Sequence, residues 1–379
     1  MLNNPILLDF EAIRPYHDTE VKAVLEQYGN HPMFRALLQF TFPRTPEEEI
    51  KDRLGACNSI YDFQTNILYQ SIQNLLVKSS DGFTTSGFDA LKKDKPYFYV
   101  SNHRDIVLDT SLLNIALYEN EMIMTASAIG DNLVEKDFLQ VLSRLNRNFL
   151  VQRGLAPREL LRSSKVLSAY IKELFTRNRS IWMAQREGRT KDGNDLTQQG
   201  VLKMVTMAKG DMPIMEFLKN YHIVPVAISY EFDPTDILKV PEVVAKQENV
   251  PYIKTINEDF NSIMKGALGN KKHIHIAINE LPEHIYDQID SEERSDNDKL
   301  KRIAKVIDQH IYENYKLWPS NYVAYDMYHK STKYSNQYNE KEKRLFERRL
   351  SRRVNIDQQL EIDSFLLMYA NPVINKEHL

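Results

Sequence analysis

The sequence predicts an α/β fold: a mixed or mostly parallel central sheet flanked by helices, with an N-terminal helical region and a helical C-terminal tail. Three observations carry that reading. From about residue 83 onward, short apolar runs alternate with longer stretches of helical period, the mark of repeated strand–helix–strand units. The first 80 residues hold helix signals without that alternation. The last 50 are rich in charge at helical spacing. The chain divides accordingly into a helical region over residues 1–80, an α/β unit over 81–330 and a charged helical tail over 331–379.

In the first region, Thr45-Pro46-Glu47-Glu48 starts a helix with a capping hydroxyl, a proline at the first helical position and acids at the positive end of the dipole. Ile60, Phe63, Ile67, Leu68, Ile72, Leu75 and Leu76 share one helical face, and Ser79-Ser80-Asp81-Gly82 ends that helix. The α/β unit offers strands at 96–101, 122–127, 148–152, 181–185, 223–229 and 273–278, with helices at 133–146, 157–178 and 199–219. Pro157 opens the second of these helices and Gly210 breaks the third. Pro225 within the Val224–Ile228 run fits an edge strand or the first residues of a strand. In the tail, Lys341 to Arg349 mixes both signs and reads as a solvated helix held by i,i+4 pairs. Contact of Leu345, Arg348, Arg349, Arg352 and Arg353 with anionic lipid is the lesser alternative, because interleaved glutamates weaken it.

Composition removes several function classes. The chain has 379 residues, 42% hydrophobic and 27% charged, as in an ordinary globular protein of one large domain with appendages or of two domains. A net charge of -3 gives no overall basic field for nucleic acid. The lone Cys57 rules out an internal disulfide and suits a reducing compartment. Met1 to Glu11 lacks the basic start and apolar core of a signal peptide. No apolar run approaches the roughly 20 residues needed to cross a bilayer, so any membrane role is one of contact.

Three polar segments follow apolar strands: Ser101 to Asp109, Phe149 to Arg153 and Gln185 to Lys191. Ligands of open α/β sheets gather where strands end. His103 stands directly after a strand, with Asp105 and Asp109 close by. A carboxylate on one ring nitrogen fixes the tautomer and leaves the other nitrogen to take a proton. No Gly-x-Ser-x-Gly elbow is present, so the base acts on a substrate nucleophile without a covalent enzyme intermediate. Backbone amides near 103–105 or 225–227 are candidate donors to a developing oxyanion. Gly188 lets the backbone approach a ligand, and Arg153, Arg186, Arg189 and Lys191 supply cations suited to phosphate or carboxylate oxygens. Each loop alone reads as a turn with solvated charges; their joint placement points to base catalysis beside an anion site.

Asn102-His103…Asp109, Phe149…Arg153, Glu187-Gly188-Arg189 and Val224-Pro225-Val226, in this order, resemble the glycerolipid acyltransferases, the superfamily of glycerol-3-phosphate and lysophosphatidic acid acyltransferases. The resemblance spans roughly residues 85–235 and leaves Trp318 to Tyr322 unassigned. One departure stands out. The family's His-x4-Asp spacing falls on Leu108, so Asp109 is one residue late and Asp105 early. Either a one-residue bulge brings Asp109 to His103 or Asp105 takes over. The following Thr110-Ser111-Leu112-Leu113 resembles the family's apolar helix and favours Asp109. The shift hints at a subfamily whose acceptor is not glycerol-3-phosphate.

The resemblance implies transfer of a fatty acyl group from acyl-CoA or acyl carrier protein, as co-substrate, to a hydroxyl of glycerol-3-phosphate, a lysophospholipid or a related lipid precursor. It implies His103 as base, Asp109 as its orienting acid, and Arg153, Arg186, Glu187, Gly188, Arg189 and Lys191 on the acceptor, with no metal and no cofactor. The acyl chain then needs an apolar groove, for which Met33 to Phe40 and the 60–76 helix are candidates, the N-terminal region forming a cap with a bilayer-facing patch. The implied setting is cytoplasmic, peripheral to the inner face of a membrane. A thioesterase using the same pair, or a non-catalytic membrane adaptor, are the competing readings.

Overall fold

The structure is a computed structural model describing residues 9–379; residues 1–8, with most of the Met1–Glu11 stretch read for a leader, lie outside the described residues. Seven strands form one sheet in the order β1-β7-β6-β2-β5-β3-β4. They are β1 (Ser80–Ser86), β2 (Phe98–Ser101), β3 (Thr125–Gly130), β4 (Asn148–Val151), β5 (Ser180–Ala184), β6 (Ile223–Tyr230) and β7 (Lys272–Ile278). Every neighbouring pair is parallel except β6 with β7. The sheet is therefore mixed and mostly parallel. Its topology places the ends of β2, β5 and β6 side by side at the centre.

Six of these strands overlap the runs predicted for them, β3 lying three residues later than the predicted 122–127. β1 does not: its Ser-Asp-Gly-Phe-Thr-Thr-Ser sequence has one large apolar residue, and Ser80 already pairs with Lys272 where the sequence suggested a helix end. An edge strand that is largely exposed needs backbone partners more than an apolar face, and β7 supplies them. Pro225 sits third in β6, an interior strand, and the pairing with β7 begins only at Val226. The 199–219 stretch is a Gln199–Val205 helix, a short 3-10 turn and an Ile214–Lys219 helix, with Gly210 at φ +62 between them.

Side chains alternate across the strands, so the sheet has a core on each face. Phe98, Val100, Phe149 and Ile181 meet Tyr170, Ile171, Ile303 and Ile307 on one side. Tyr97, Tyr99, Trp182 and Val224 meet Leu112, Leu113 and Leu117 of the Leu108–Glu119 helix on the other. That helix is buried from Leu108 through Leu117, its polar Asp109, Thr110, Ser111 and Asn114 included.

The C-terminal segment corrects the sequence reading. The Glu340–Ser351 helix is not a solvated rod: Phe346 and Leu350 are buried, packing with Val323, Phe365 and Tyr369 from the Pro319–Tyr328 and Gln359–Glu377 helices. Phe232 and Val240 of the α/β unit join the same cluster. Arg349, offered to lipid by the sequence, has a side chain only 9% exposed. Among the described residues no helix is long and apolar enough to cross a membrane.

Candidate active site

The chain leaves β2 at Ser101, and its next residues are fixed by the neighbouring strands. Asn102 clamps β6: its Oδ1 accepts the Ile228 N–H at 2.8 Å and its Nδ2 donates to the Ile228 carbonyl at 3.0 Å. The His103 carbonyl accepts the Thr190 N–H at 2.9 Å, which joins the loop after β2 to the loop after β5. His103 is thereby held above the sheet's edge, its ring edge-on to Trp182 with centroids 5.6 Å apart.

His103 Nδ1 lies 2.8 Å from Asp109 Oδ2. The same oxygen accepts the N–H groups of Arg104 at 2.7 Å and Asp105 at 3.0 Å, while Oδ1 accepts the Tyr230 hydroxyl at 3.0 Å. Burial pushes the Tyr230 phenol well above its ordinary value, so it remains a donor. Asp109 is fully buried in the first turn of its helix, where the dipole also favours a carboxylate. The carboxylate orients Nδ1, and among the described residues no side chain bonds Nε2.

The two acids named from the sequence have different partners. Asp105 makes no bond to His103; its Oδ1 accepts the N–H groups of Val107 at 3.0 Å and Leu108 at 2.9 Å and turns the chain into the helix. The extra residue between histidine and acid is taken up in this turn. Asp105 Oδ2 is buried without a partner, and burial, with the Asp109 charge adding to it, holds this carboxyl above the usual range. Gly266 of the Glu258–Leu268 helix lies against it: a Cβ there would sit 2.0 Å from that oxygen. The Arg104 and Asp105 amides, candidate oxyanion donors in the sequence, are taken by Asp109 instead.

The cations fall into two groups. Arg153 and Arg189 are partly open, Arg153 Nη1 donating to Glu187 Oε1 at 2.7 Å and Arg189 Nη1 approaching Thr235 Oγ1 at 3.4 Å. Gly188 stands between Glu187 and Arg189 at φ +68, a left-handed turn that favours glycine. Arg186 and Lys191 are more enclosed. Arg186 Nε is buried without a partner. Lys191 pairs with Glu242, and burial lowers its ammonium below its ordinary value.

Sequence reasoning missed the network beneath the loop. Arg104 Nη2 donates to buried Asp195 Oδ2 at 2.6 Å, and Asn102 Nδ2 reaches the same oxygen at 3.2 Å. Lys239 donates to the Arg104 carbonyl at 2.9 Å and pairs with Asp233. Burial raises the Asp233 carboxyl, but Lys239 and the Thr235 bonds outweigh it and hold it below its ordinary value. Only the conjunction of polar residues inside apolar runs hinted at such partners.

Below Ile106 and Val107 opens a cavity of about 370 Å³. Met33, Leu37 and Phe40 from the Pro32–Thr41 helix, and Leu68, Ile72 and Leu75 from the second N-terminal segment, line one wall. Ile115 and Met124 line another, and Phe260, Ile263 and Met264 close a side to which the sequence gave no expectation. Among the described residues no charged one lines it.

Residues 82–229, from β1 through most of β6, match the family model of the acyltransferases. This segment is an acyltransferase domain. It spans all three loops and the His103–Asp109 pair. No curated protein matches the chain. Among solved structures, the crystal structure of PlsC, the 1-acyl-sn-glycerophosphate (LPA) acyltransferase of Thermotoga maritima, is 12% identical, with a TM-score of 0.39 over 78% of this chain and 94% of its own. A likeness that weak bears on nothing further.

Proposed function

We propose that the protein is a glycerolipid-type O-acyltransferase, moving a fatty acyl group from acyl-CoA or acyl carrier protein to a hydroxyl of glycerol-3-phosphate, a lysophospholipid or a related lipid precursor. The observation that carries this is a carboxylate-held histidine on a loop whose next residues, Ile106 and Val107, line a largely apolar cavity. His103 Nε2 takes the proton of the acceptor hydroxyl as its oxygen attacks the thioester carbonyl. The carbon–sulfur bond then breaks, an ester bond having formed, and the leaving thiolate recovers the proton from His103. Asp109 holds the ring and balances the imidazolium between the two steps. Arg153 and Arg189 face the acceptor's phosphate or carboxylate, and the Glu187–Gly188 turn brings backbone close to it. The cavity takes the acyl chain. The reaction so written uses no metal and no cofactor beyond the thioester co-substrate. A chain entering such a cavity comes from a lipid surface, which suits a protein peripheral to a membrane.

The test is thiol release from palmitoyl-CoA with and without glycerol-3-phosphate or lysophosphatidic acid. Acceptor-dependent release is expected, and His103→Ala is expected to lower it about a thousandfold with an unchanged circular dichroism spectrum. Equal release without acceptor would make the protein a hydrolase, and an unaffected His103→Ala would remove the mechanism.

A further inference from the structure

The acyl cavity is not apolar throughout. Gln64, Asn114, Ser143 and Asn148 line it at 5%, 6%, 6% and 8% exposure. Each has a polar atom without a hydrogen-bond partner: Gln64 Oε1, Asn114 Nδ2, Ser143 Oγ and Asn148 Oδ1. These residues belong to one neighbourhood. Gln64 Nε2 donates to Asn146 Oδ1 at 3.1 Å, and Asn146 caps the Asp137–Leu145 helix that bears Ser143. Asn148 is in register with Ser127 on β3, Ser127 Oγ lies 2.9 Å from Thr125 Oγ1, and that hydroxyl donates to Asn114 Oδ1 at 3.1 Å.

This polar floor is remote from the catalytic pair. Asn114 lies five residues beyond Asp109, about 7.5 Å along the helix axis. Thr125 and Asn148 open β3 and β4, whereas His103 lies two residues past the end of β2, so floor and base lie toward opposite ends of parallel strands. The other serine and threonine hydroxyls of the cavity wall bond the carbonyl three or four residues before them: Thr65 donates to the Tyr61 carbonyl, Ser71 to that of Ile67 and Ser111 to that of Val107. Ser143 has no such bond.

A buried polar atom left unpaired costs about 1–3 kcal/mol, and a plain hydrocarbon chain would leave all four unpaired. The set contains donors, the Asn114 amide and the Ser143 hydroxyl, and acceptors, the Gln64 and Asn148 carbonyls. It contains no charge, and an anion brought there would have no countercharge. A hydroxyl, which both gives and takes, fits it. We infer that the polar floor is a binding site for a hydroxyl carried part-way along the acyl chain, so that a hydroxylated acyl thioester is the preferred donor. This rests on the acyltransferase reading of the same cavity.

The experiment compares palmitoyl-CoA with its mid-chain monohydroxylated counterpart, using the full chain and lysophosphatidic acid as acceptor. The hydroxylated donor is expected to have a kcat/KM about tenfold higher. Ser143→Ala and Gln64→Met are expected to bring the ratio toward one. Ser143→Ala is also expected to raise the Tm of the unliganded protein, because it removes a buried hydroxyl without a partner. An active enzyme with a wild-type ratio near one, unmoved in both variants, overturns the polar site and leaves the acyltransferase reading standing. Failure of both donors to transfer overturns the two together.

Discussion

The two helical regions flanking the sheet serve the site in opposite currencies. The N-terminal region lends hydrocarbon: Leu37, Phe40, Leu68 and Ile72 form a cavity wall and make no bond to His103 or Asp109. The C-terminal region lends charge. Arg349 donates to Asp236 Oδ2 at 2.7 Å and to the Asp233 carbonyl at 2.7 Å, and Tyr369 donates to Asp236 at 2.8 Å. Asp233 pairs with Lys239, and Lys239 holds the carbonyl of Arg104, next to His103. The comparison teaches that a charged segment is not thereby a solvent-facing one. Charge enters a core when its partner is already there, and a helix that looks like a surface rod becomes a clamp.

The largest expected effect breaks the charged side. Arg349→Leu removes one partner of a buried ion pair, and the loss expected in urea denaturation is about 3–5 kcal/mol, with a lower kcat as the Arg104 carbonyl loosens. A shift within about 0.5 kcal/mol would mean that the C-terminal helices do not brace the loop.

A second variant sharpens the contrast through pH. Asp308, on the Asp296–Glu313 helix, accepts the Thr197 N–H at 2.7 Å, and burial pushes its carboxyl up to about 7. In the unfolded chain an aspartate ionises near about 3.9. Between these values the folded state holds a proton that the unfolded state has released, so Asp308 makes stability fall as pH rises toward 7. Asp308→Asn keeps the acceptor oxygen and cannot ionise. Its Tm is expected to match or fall slightly below wild type near pH 4 and exceed it by a few degrees near pH 8. An unaltered slope of Tm against pH would assign that dependence elsewhere.

The smallest effect on stability is expected on the apolar side. Ile72→Trp fills part of the cavity wall, and KM for a long-chain donor is expected to rise about tenfold, with little change for a short-chain donor. Its unfolding free energy in urea should change by less than about 1.5 kcal/mol, and its stability-versus-pH curve should parallel wild type. Equal losses for both chain lengths would mean that the cavity does not hold the chain.

Much of this architecture is legible in the chain itself. Tyr97 to Val100, Ile181 to Ala184 and Val224 to Ile228 are apolar runs short enough to be buried strands, and they are strands. His103 and the arginine-bearing loops stand at their ends. β1 escaped because exposed edge pairing leaves no apolar period to read. Asp195 escaped because its partner Arg104 is 91 residues away. The Glu340–Ser351 helix was misread because its composition is charged, although Phe346 and Leu350, four residues apart, give it an apolar stripe.

By itself, the sequence determined the order of the six apolar strands and which polar segments end them, because these follow from local periodicity and from where apolar runs stop. Only the tertiary structure decided that Asp109 and not Asp105 holds His103, that Lys239 and Arg349 are clamps, and that the cavity ends in a polar floor. Those outcomes depend on which distant groups meet once water has been excluded. A buried carboxylate, cation or amide takes its role from the partner beside it.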